Sequence, residues 1–198
     1  MKRPALVRAI PFVLGAAAVV GLVVYLLQPH GPPLADRLRY RPPGPEQFVS
    51  GGAGAALPRT GRTYVPAYSH AYVASGTPVL FAVTLSIRNV DPERPLRLRS
   101  VDYHATAGDR VRSFLTEPAL LPPLGTVEYF VEQNDEAGGS GANFIVEWAT
   151  DERGHPPLVE AVMLGTSGAS RYSFVSRGVD LSGDAAPSEP SHPDDGSL

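Results

Sequence analysis

The stretch PVLFAVTLSIRNV, residues 78–90, decides the fold class. Large apolar side chains occupy every second position from Val79 to Ile87, and from Ala82 to Arg88 the residues between them are small or polar. A period of two predicts a β-strand with one buried and one solvated face, because an amphipathic helix repeats every 3.6 residues. The residues predicted to face the core are Val79, Phe81, Val83, Leu85 and Ile87.

The same alternation continues on both sides of this strand. TVEYFVEQ (126–133) places Val127, Tyr129 and Val131 on one face, and GANFIVEWAT (141–150) does the same with Phe144, Val146 and Trp148, opposite Glu147. PLRLRSVDYH (95–104) starts with Leu96 and Leu98 inward and then changes phase to Val101 and Tyr103, which predicts a β-bulge near Ser100. Shorter runs are VRSFL (111–115), PLVEAVMLG (157–165), RYSFVSRG (171–178) and TYVPAYSHAYV (63–73).

Turn-forming segments such as NVDPERP, EPALLPPLG and DERGHPP separate these runs. Seven or eight short strands with no long helical pattern between them predict an all-β domain over residues 60–181. We expect an immunoglobulin-like β-sandwich without the cysteine bridge, and a small β-barrel is the alternative. Pro66 interrupts the first run and predicts an edge strand or a bend there.

The composition excludes several classes of function. The chain has 198 residues, 19% of them charged, and a formal net charge of -3, so we expect no nucleic-acid partner. It has no cysteine, which removes thiol nucleophiles, thiolate metal sites and disulfides. Lys2 is its only lysine, which excludes Walker-type phosphate loops, Ser-x-x-Lys enzymes and Schiff-base enzymes from the rest of the chain. We expect no cofactor.

The N-terminus predicts a membrane anchor. Residues 9–27 are uncharged and apolar, and Lys2, Arg3 and Arg8 precede them. A helix of this length spans roughly 28 Å, close to the ~30 Å hydrocarbon core of a bilayer. A cleaved signal peptide is the alternative, although residues 25–29 lack the small residues of a cleavage site. The positive charge places residues 1–8 in the cytoplasm and the following domain outside the cell membrane, in the periplasm of a Gram-negative cell.

Two further segments flank the predicted domain. Residues 28–58 are rich in Pro and Gly and predict a spacer. Residues 182–198 are acidic, rich in Pro and Ser, and poor in large apolar residues, which predicts a disordered tail.

The glycine-rich run GGSGANFIVEW (138–148) raises the question of a binding site. A phosphate loop or a nucleophile elbow requires a helix after the glycines, whereas a strand is predicted here. A long hairpin connection is the favoured interpretation. The oxygen-bearing side chains of Asn134, Asp135 and Glu136 suit calcium and remain candidates for a metal site, with Ser140 and Asn143 as further site candidates.

The histidines of the domain carry no zinc-binding spacing. His70 shares a parity with Tyr64, Tyr68 and Tyr72, which predicts one aromatic stripe, and such a stripe is more typical of core or sheet-edge packing than of a sugar-binding platform. His70 and His104 stay candidates because a Ser/His/Asp arrangement needs to meet only in space.

Several blocks together resemble a known bacterial family. They are YVPAYSHAY, TLSIRNVDPERPLRLRSVDYH, EPALLPPLGTVEYFVE, GGSGANFIVEW, VEAVMLGTSG and SFVSRG, which occur in this order over about residues 62–179. The chain is similar in these blocks to the domain-of-unknown-function family 3124. The resemblance implies a bacterial envelope protein and assigns no role to any residue.

The sequence therefore predicts a single-pass membrane protein whose extracytoplasmic domain binds a partner, either an envelope protein or a glycan. The alternative is an envelope hydrolase of the serine type or with a metal held by oxygen ligands.

Overall fold

A computed structural model of the chain describes residues 18–20, 22–23, 33–49 and 57–181. The chain divides into two units, Met1–Arg41 and Pro42–Leu198. In the first unit, residues 18–20 and 22–23 are helical and exposed, and α1 (Leu34–Arg37) is a single turn. Within the described part of the chain, no helix is long and apolar enough to span a bilayer. Most of the predicted anchor (9–27) and all of the predicted tail (182–198) lie outside the described residues.

The regular secondary structure described in the second unit is almost entirely antiparallel strands, which confirms the all-β prediction. Two short 3₁₀ turns, Pro45–Gln47 and Ala74–Gly76, accompany them. The described residues form eleven strands: β1 (Arg59–Pro66), β2 (His70–Tyr72), β3 (Pro78–Arg88), β4 (Leu96–His104), β5 (Arg110–Ser113), β6 (Ala119–Leu121), β7 (Thr126–Val131), β8 (Asn143–Thr150), β9 (Leu158–Ser167), β10 (Ser170–Arg177) and β11 (Val179–Asp180). Eleven exceeds the predicted seven or eight because β2, β6 and β11 are too short to leave an alternating pattern.

The strands form two sheets. One has six strands in the order β11-β1-β8-β4-β5, with β6 also paired to β4. The other has five strands in the order β10-β9-β3-β2, with β7 also paired to β3. Buried apolar residues of both sheets belong to one hydrophobic core.

The buried faces are those that the alternation predicts. Every residue predicted to face inward from β3, β4, β7 and β8 is buried. Trp148 is 1% exposed, and its indole N–H donates a 3.1 Å hydrogen bond to the Thr63 hydroxyl, which is also buried. The register of β4 against β8 shifts between Leu98 and Ser100, which confirms the predicted bulge.

Two expectations about connections are wrong. The glycine-rich run is not part of a hairpin, because β7 belongs to the five-stranded sheet and β8 to the six-stranded sheet. The tyrosines around His70 do not form one stripe, because β1 ends at Pro66 and the chain passes to the other sheet before β2. Both errors have one cause: alternation within a segment carries no information about which sheet the segment joins.

The end of the domain opposite the glycine-rich run is held by a buried polar turn. The Asn89 side chain donates to the carbonyl oxygens of Arg94 and Pro122, at 2.8 and 2.9 Å. The buried Asp91 carboxylate accepts from the N–H groups of Glu93 and Arg94, at 2.9 and 2.8 Å. The hydrogen bond from Glu93 is the main reason why the pKa of Asp91 lies below its ordinary value. The NVDPERP segment is thus structural.

Candidate functional site

Three connections meet at one end of the domain and form what we call the loop cluster: residues 67–69, 105–109 and 132–142. Their main chains are joined directly. The Ala67 N–H donates to the Ala142 carbonyl at 2.9 Å, and the Ser69 N–H donates to the Gly139 carbonyl at 3.1 Å. The Thr106 N–H donates to the Gly138 carbonyl at 2.8 Å. The β7–β8 connection therefore lies between the other two, and it carries most of the candidates.

The glycines of the run are required by close packing. A β-carbon on Gly138 would overlap the Tyr103 hydroxyl oxygen and lie 2.6 Å from the ring carbon that bears it. Gly139 has φ +82°, a conformation that glycine adopts without strain. The Thr106 hydroxyl accepts the N–H of Gly141 at 2.9 Å and lies 3.1 Å from the Gly138 carbonyl, to which it donates. The run is a structural element that packs on Tyr103 and Thr106.

The predicted metal candidates have other partners or point outward. Asp135 forms an ion pair of 3.3 Å with Arg112 and accepts the Ala137 N–H at 2.9 Å, while Asn134 and Glu136 are exposed. Across the described ranges, no three acidic or histidine side chains are grouped so that they could hold a metal ion. Ser140 is half-buried and makes no side-chain hydrogen bond within that part of the chain.

His70 belongs to a hydrogen-bonded chain with a defined direction. The buried Ser69 hydroxyl donates to the Gly139 carbonyl at 2.9 Å, so it accepts from His70 Nδ1 at 3.3 Å. In the neutral ring, His70 Nε2 then accepts from the Tyr72 hydroxyl, 3.1 Å away. The His70 and Tyr72 rings also meet edge to face, with centroids 5.2 Å apart. The result is a tyrosine that is 62% exposed and nonetheless fixed in orientation.

His104 and Asn143 are brought together by the sheet register. They are directly opposite each other on β4 and β8, and both are half-buried. His104 Nδ1 and Asp102 Oδ1 are buried without a hydrogen-bond partner, and Arg110 approaches Asp102 at 3.9 Å. Asp102 and His104 thus lie near each other on one face, yet neither of these two atoms bonds to the other.

Tyr103 contributes a third buried polar atom without a partner. Its side chain is fully buried under the glycine run, and its hydroxyl has no hydrogen bond. Burial raises the pKa of Tyr103 to about 12, and the charge of Asp135 acts in the same direction. The phenol is therefore neutral at physiological pH.

Beside the loop cluster, part of the outer face of the five-stranded sheet carries exposed apolar side chains. We call Tyr72, Leu80, Leu164 and Val175 the apolar surface. These side chains are 62%, 42%, 55% and 57% exposed. The strand register places His70 opposite Leu80 on this face, and the Gln133 side chain donates to the Leu80 carbonyl at 3.1 Å. The Tyr72 ring on β2 therefore lies on the same face as the exposed apolar residues of the neighbouring strands β3, β9 and β10.

The sequence identified part of this arrangement. It named His70, His104, Asp135, Ser140 and Asn143, all of which lie in the loop cluster or next to it. It did not identify Ser69, Thr106 or Arg112, whose roles depend on main-chain atoms or charges far away in the chain. For these contacts the sequence offers one indication, which is a short polar residue of the Asp, Asn, Ser or Thr type beside each turn.

Comparison with known proteins gives one structure and one family. The structure is described as "Crystal Structure of Thermotoga maritima 1070"; it shares 9% identity with this chain at a TM-score of 0.36, over 60% of this chain and 92% of that one. No curated protein matches the chain. The family model described as "Protein of unknown function (DUF3124)" matches residues 60–181, two residues beyond the expected range at each end. Since that match covers more than half of the sequence, the chain belongs to the DUF3124 family.

Proposed function

We propose that this protein is a membrane-anchored, extracytoplasmic binding module of the bacterial cell envelope. The observation that supports the proposal is the apolar surface with its fixed tyrosine. Exposed apolar faces on a domain often serve as interaction sites. An aromatic ring that is already held in place loses little conformational entropy on binding.

The partner that this surface favours is a protein. None of the four residues of the surface is charged. On the same face, Arg177 and Glu160 form an ion pair of 3.5 Å, and the exposed Arg171 lies at the rim, opposite Thr166. A flat apolar face with polar residues at its rim matches the composition of protein interfaces. A glycan partner is the second outcome that the experiment below distinguishes.

The proposed architecture is an immunoglobulin-like β-sandwich. The two sheets are connected along one side, where only Gly178 separates β10 from β11. The strand pairs of the described residues include none that joins β5 or β6 to β2 or β7. A closed barrel requires such a pair, so the open arrangement is favoured over the alternative of a small barrel.

The hydrolase alternative gains no support from the Ser69–His70 pair. A serine nucleophile passes its proton to the histidine, whereas the Ser69 hydroxyl donates to the Gly139 carbonyl and is 3% exposed. The buried position also keeps a substrate away from this oxygen.

The test is site-specific photo-crosslinking of the full chain in the native bacterium. A photoreactive residue replaces Leu164 on the apolar surface, and in the control it replaces Val90, which is 42% exposed at the far end of the domain. We expect a discrete crosslinked protein band from position 164 that the control lacks and that Tyr72→Ser weakens. A band that glycosidase removes identifies a glycan, and identical patterns from both positions contradict the proposal.

The anchor is tested separately. Intact mass of the membrane-extracted protein should match the complete sequence with residues 9–27 retained. A mass that lacks about thirty N-terminal residues is what signal cleavage produces, and that mass rules out the anchor.

A further inference from the structure

The outer face of the six-stranded sheet carries a group of side chains that we call the polar face. Tyr64 on β1 and Asp102 on β4 lie opposite the same residue of β8, which stands between them. In the next row Asn143 on β8 lies opposite His104 on β4, and Arg110 on β5 follows. All five except Arg110 are half-buried, while the alternate residues of β1, β4 and β8 belong to the core.

The side chains at the centre of the polar face have unused hydrogen-bonding capacity. His104 Nδ1 and Asp102 Oδ1 are buried without a hydrogen-bond partner, and the Arg110 guanidinium stays 3.9 Å from this oxygen, beyond hydrogen-bond distance. The Asn143 side chain makes no hydrogen bond to any residue that the structure describes. Unpaired polar atoms below the surface destabilise a fold, so two of them side by side indicate a group that binds there. The Asp102 side chain is 14% exposed, so a ligand can reach the carboxylate.

The charges of the polar face balance one another. Asp102 lies beside Arg110, and one row further along the strands Arg62 forms an ion pair of 2.7 Å with Glu147. Equal numbers of positive and negative groups leave little net field to attract an ion of either sign. The face is therefore complementary to an uncharged ligand.

The chemistry of the unpaired groups narrows the ligand further. A carboxylate only accepts hydrogen bonds, whereas an amide and an imidazole each donate and accept. Hydroxyl groups satisfy all three, because each one can donate and accept. The strands β1, β8 and β4 are interior to the sheet, so their main-chain groups are paired and cannot hold an extended peptide.

We propose that the polar face binds an uncharged saccharide. Asp102, His104 and Asn143 form hydrogen bonds with neighbouring hydroxyls of one sugar unit. The Tyr64 ring, which lies beside them, packs against the C–H groups of the sugar. The proposal does not depend on the protein partner of the apolar surface, which lies on the other sheet.

The test measures binding of the full-length protein, in detergent, to a printed array of oligosaccharides. The array includes neutral, acidic and sulfated glycans and fragments of the envelope polysaccharides of the bacterium that makes the protein. We expect binding to uncharged glycans, with an affinity that stays within about twofold between ~0.05 and ~0.5 M salt, because salt does not screen a neutral ligand.

Two substitutions of similar shape separate binding from folding. Asp102→Leu and Asn143→Leu should each lower the affinity about tenfold or more, since each removes hydrogen bonds to the sugar. The midpoint of urea unfolding, followed by the fluorescence of Trp148, should not fall, because neither side chain is hydrogen-bonded to the protein and Arg110 is 63% exposed. The control Leu164→Ser, on the other sheet, should leave the affinity unchanged. Binding to no glycan or only to acidic ones, affinity that both substitutions leave intact, or affinity and midpoint that fall together overturn the proposal.

Discussion

Substitution of Gly138 by alanine should be the most damaging small change in the loop cluster. The added methyl group has to occupy the space of the Tyr103 hydroxyl, with the Ala142 β-carbon 3.0 Å away on another side. Overpacking a well-packed core costs about 1–3 kcal/mol, and since this clash involves a fully buried ring, we expect about 3 kcal/mol. The control is Gly141→Ala, whose β-carbon has the Thr106 side chain as its nearest neighbour, at 3.1 Å, so it should cost less than about 1 kcal/mol.

Removal of the hydroxyl tests the same reasoning from the other partner. Tyr103→Phe deletes a buried polar atom that has no hydrogen bond, and the penalty for such an atom is about 1–3 kcal/mol, so the variant should be stabilised by about 1 kcal/mol. In the double variant the ring carbon remains 2.6 Å from the new methyl group, so the cost of Gly138→Ala should fall by only about half.

The pH dependence supplies an independent readout of the buried phenol. The folded-state pKa of Tyr103 is raised to about 12, above the value near 10 of an unfolded tyrosine. Ionisation of Tyr103 therefore leaves the stability of the domain unchanged below about pH 10 and lowers it as the pH rises from there through 12. Tyr103→Phe should remove this alkaline loss.

The assay is urea unfolding followed by the fluorescence of Trp148, the only tryptophan. Two results refute the reasoning: Gly138→Ala within about 0.5 kcal/mol of Gly141→Ala, or Tyr103→Phe less stable than the native protein by more than about 1 kcal/mol. Either one means that the glycine run does not press on the Tyr103 hydroxyl.

Further outcomes are expected elsewhere in the domain. Trp148→Ala should cost roughly 3–5 kcal/mol, and native Trp148 emission should be blue-shifted; emission like that of indole in water contradicts the burial. Thr63→Val should cost about 1–3 kcal/mol in urea unfolding, because it leaves the indole N–H unpaired. The lowered pKa of Asp91 means that its contribution is present above about pH 4 and lost as the pH falls, so Asp91→Asn should flatten the acid side of a stability–pH curve measured by the same assay. Calcium should not raise the melting temperature relative to a chelator, because Asp135 is engaged by Arg112; a calcium-dependent rise lost in Asp135→Asn contradicts that assignment.

By itself, the sequence determined which residues enter the core. Alternation along β3, β4, β7 and β8 specified their buried faces and even the bulge near Ser100, because a strand in contact with a core needs one apolar face regardless of its neighbours. The family could also be identified from the six sequence blocks and their order, because a comparison of sequences needs no knowledge of how the strands pair.

Only the tertiary structure decided how the segments meet. Gly138 faces Tyr103 across 35 positions of sequence, Ser69 reaches Gly139, and Phe48 leaves the predicted spacer to pack on the core. These contacts depend on main-chain groups, which every residue has, and on how closely two segments pack. No pattern of residue types therefore predicts them. They arise because β7 and β8 belong to different sheets, and sheet membership is set by the packing of all the strands at once.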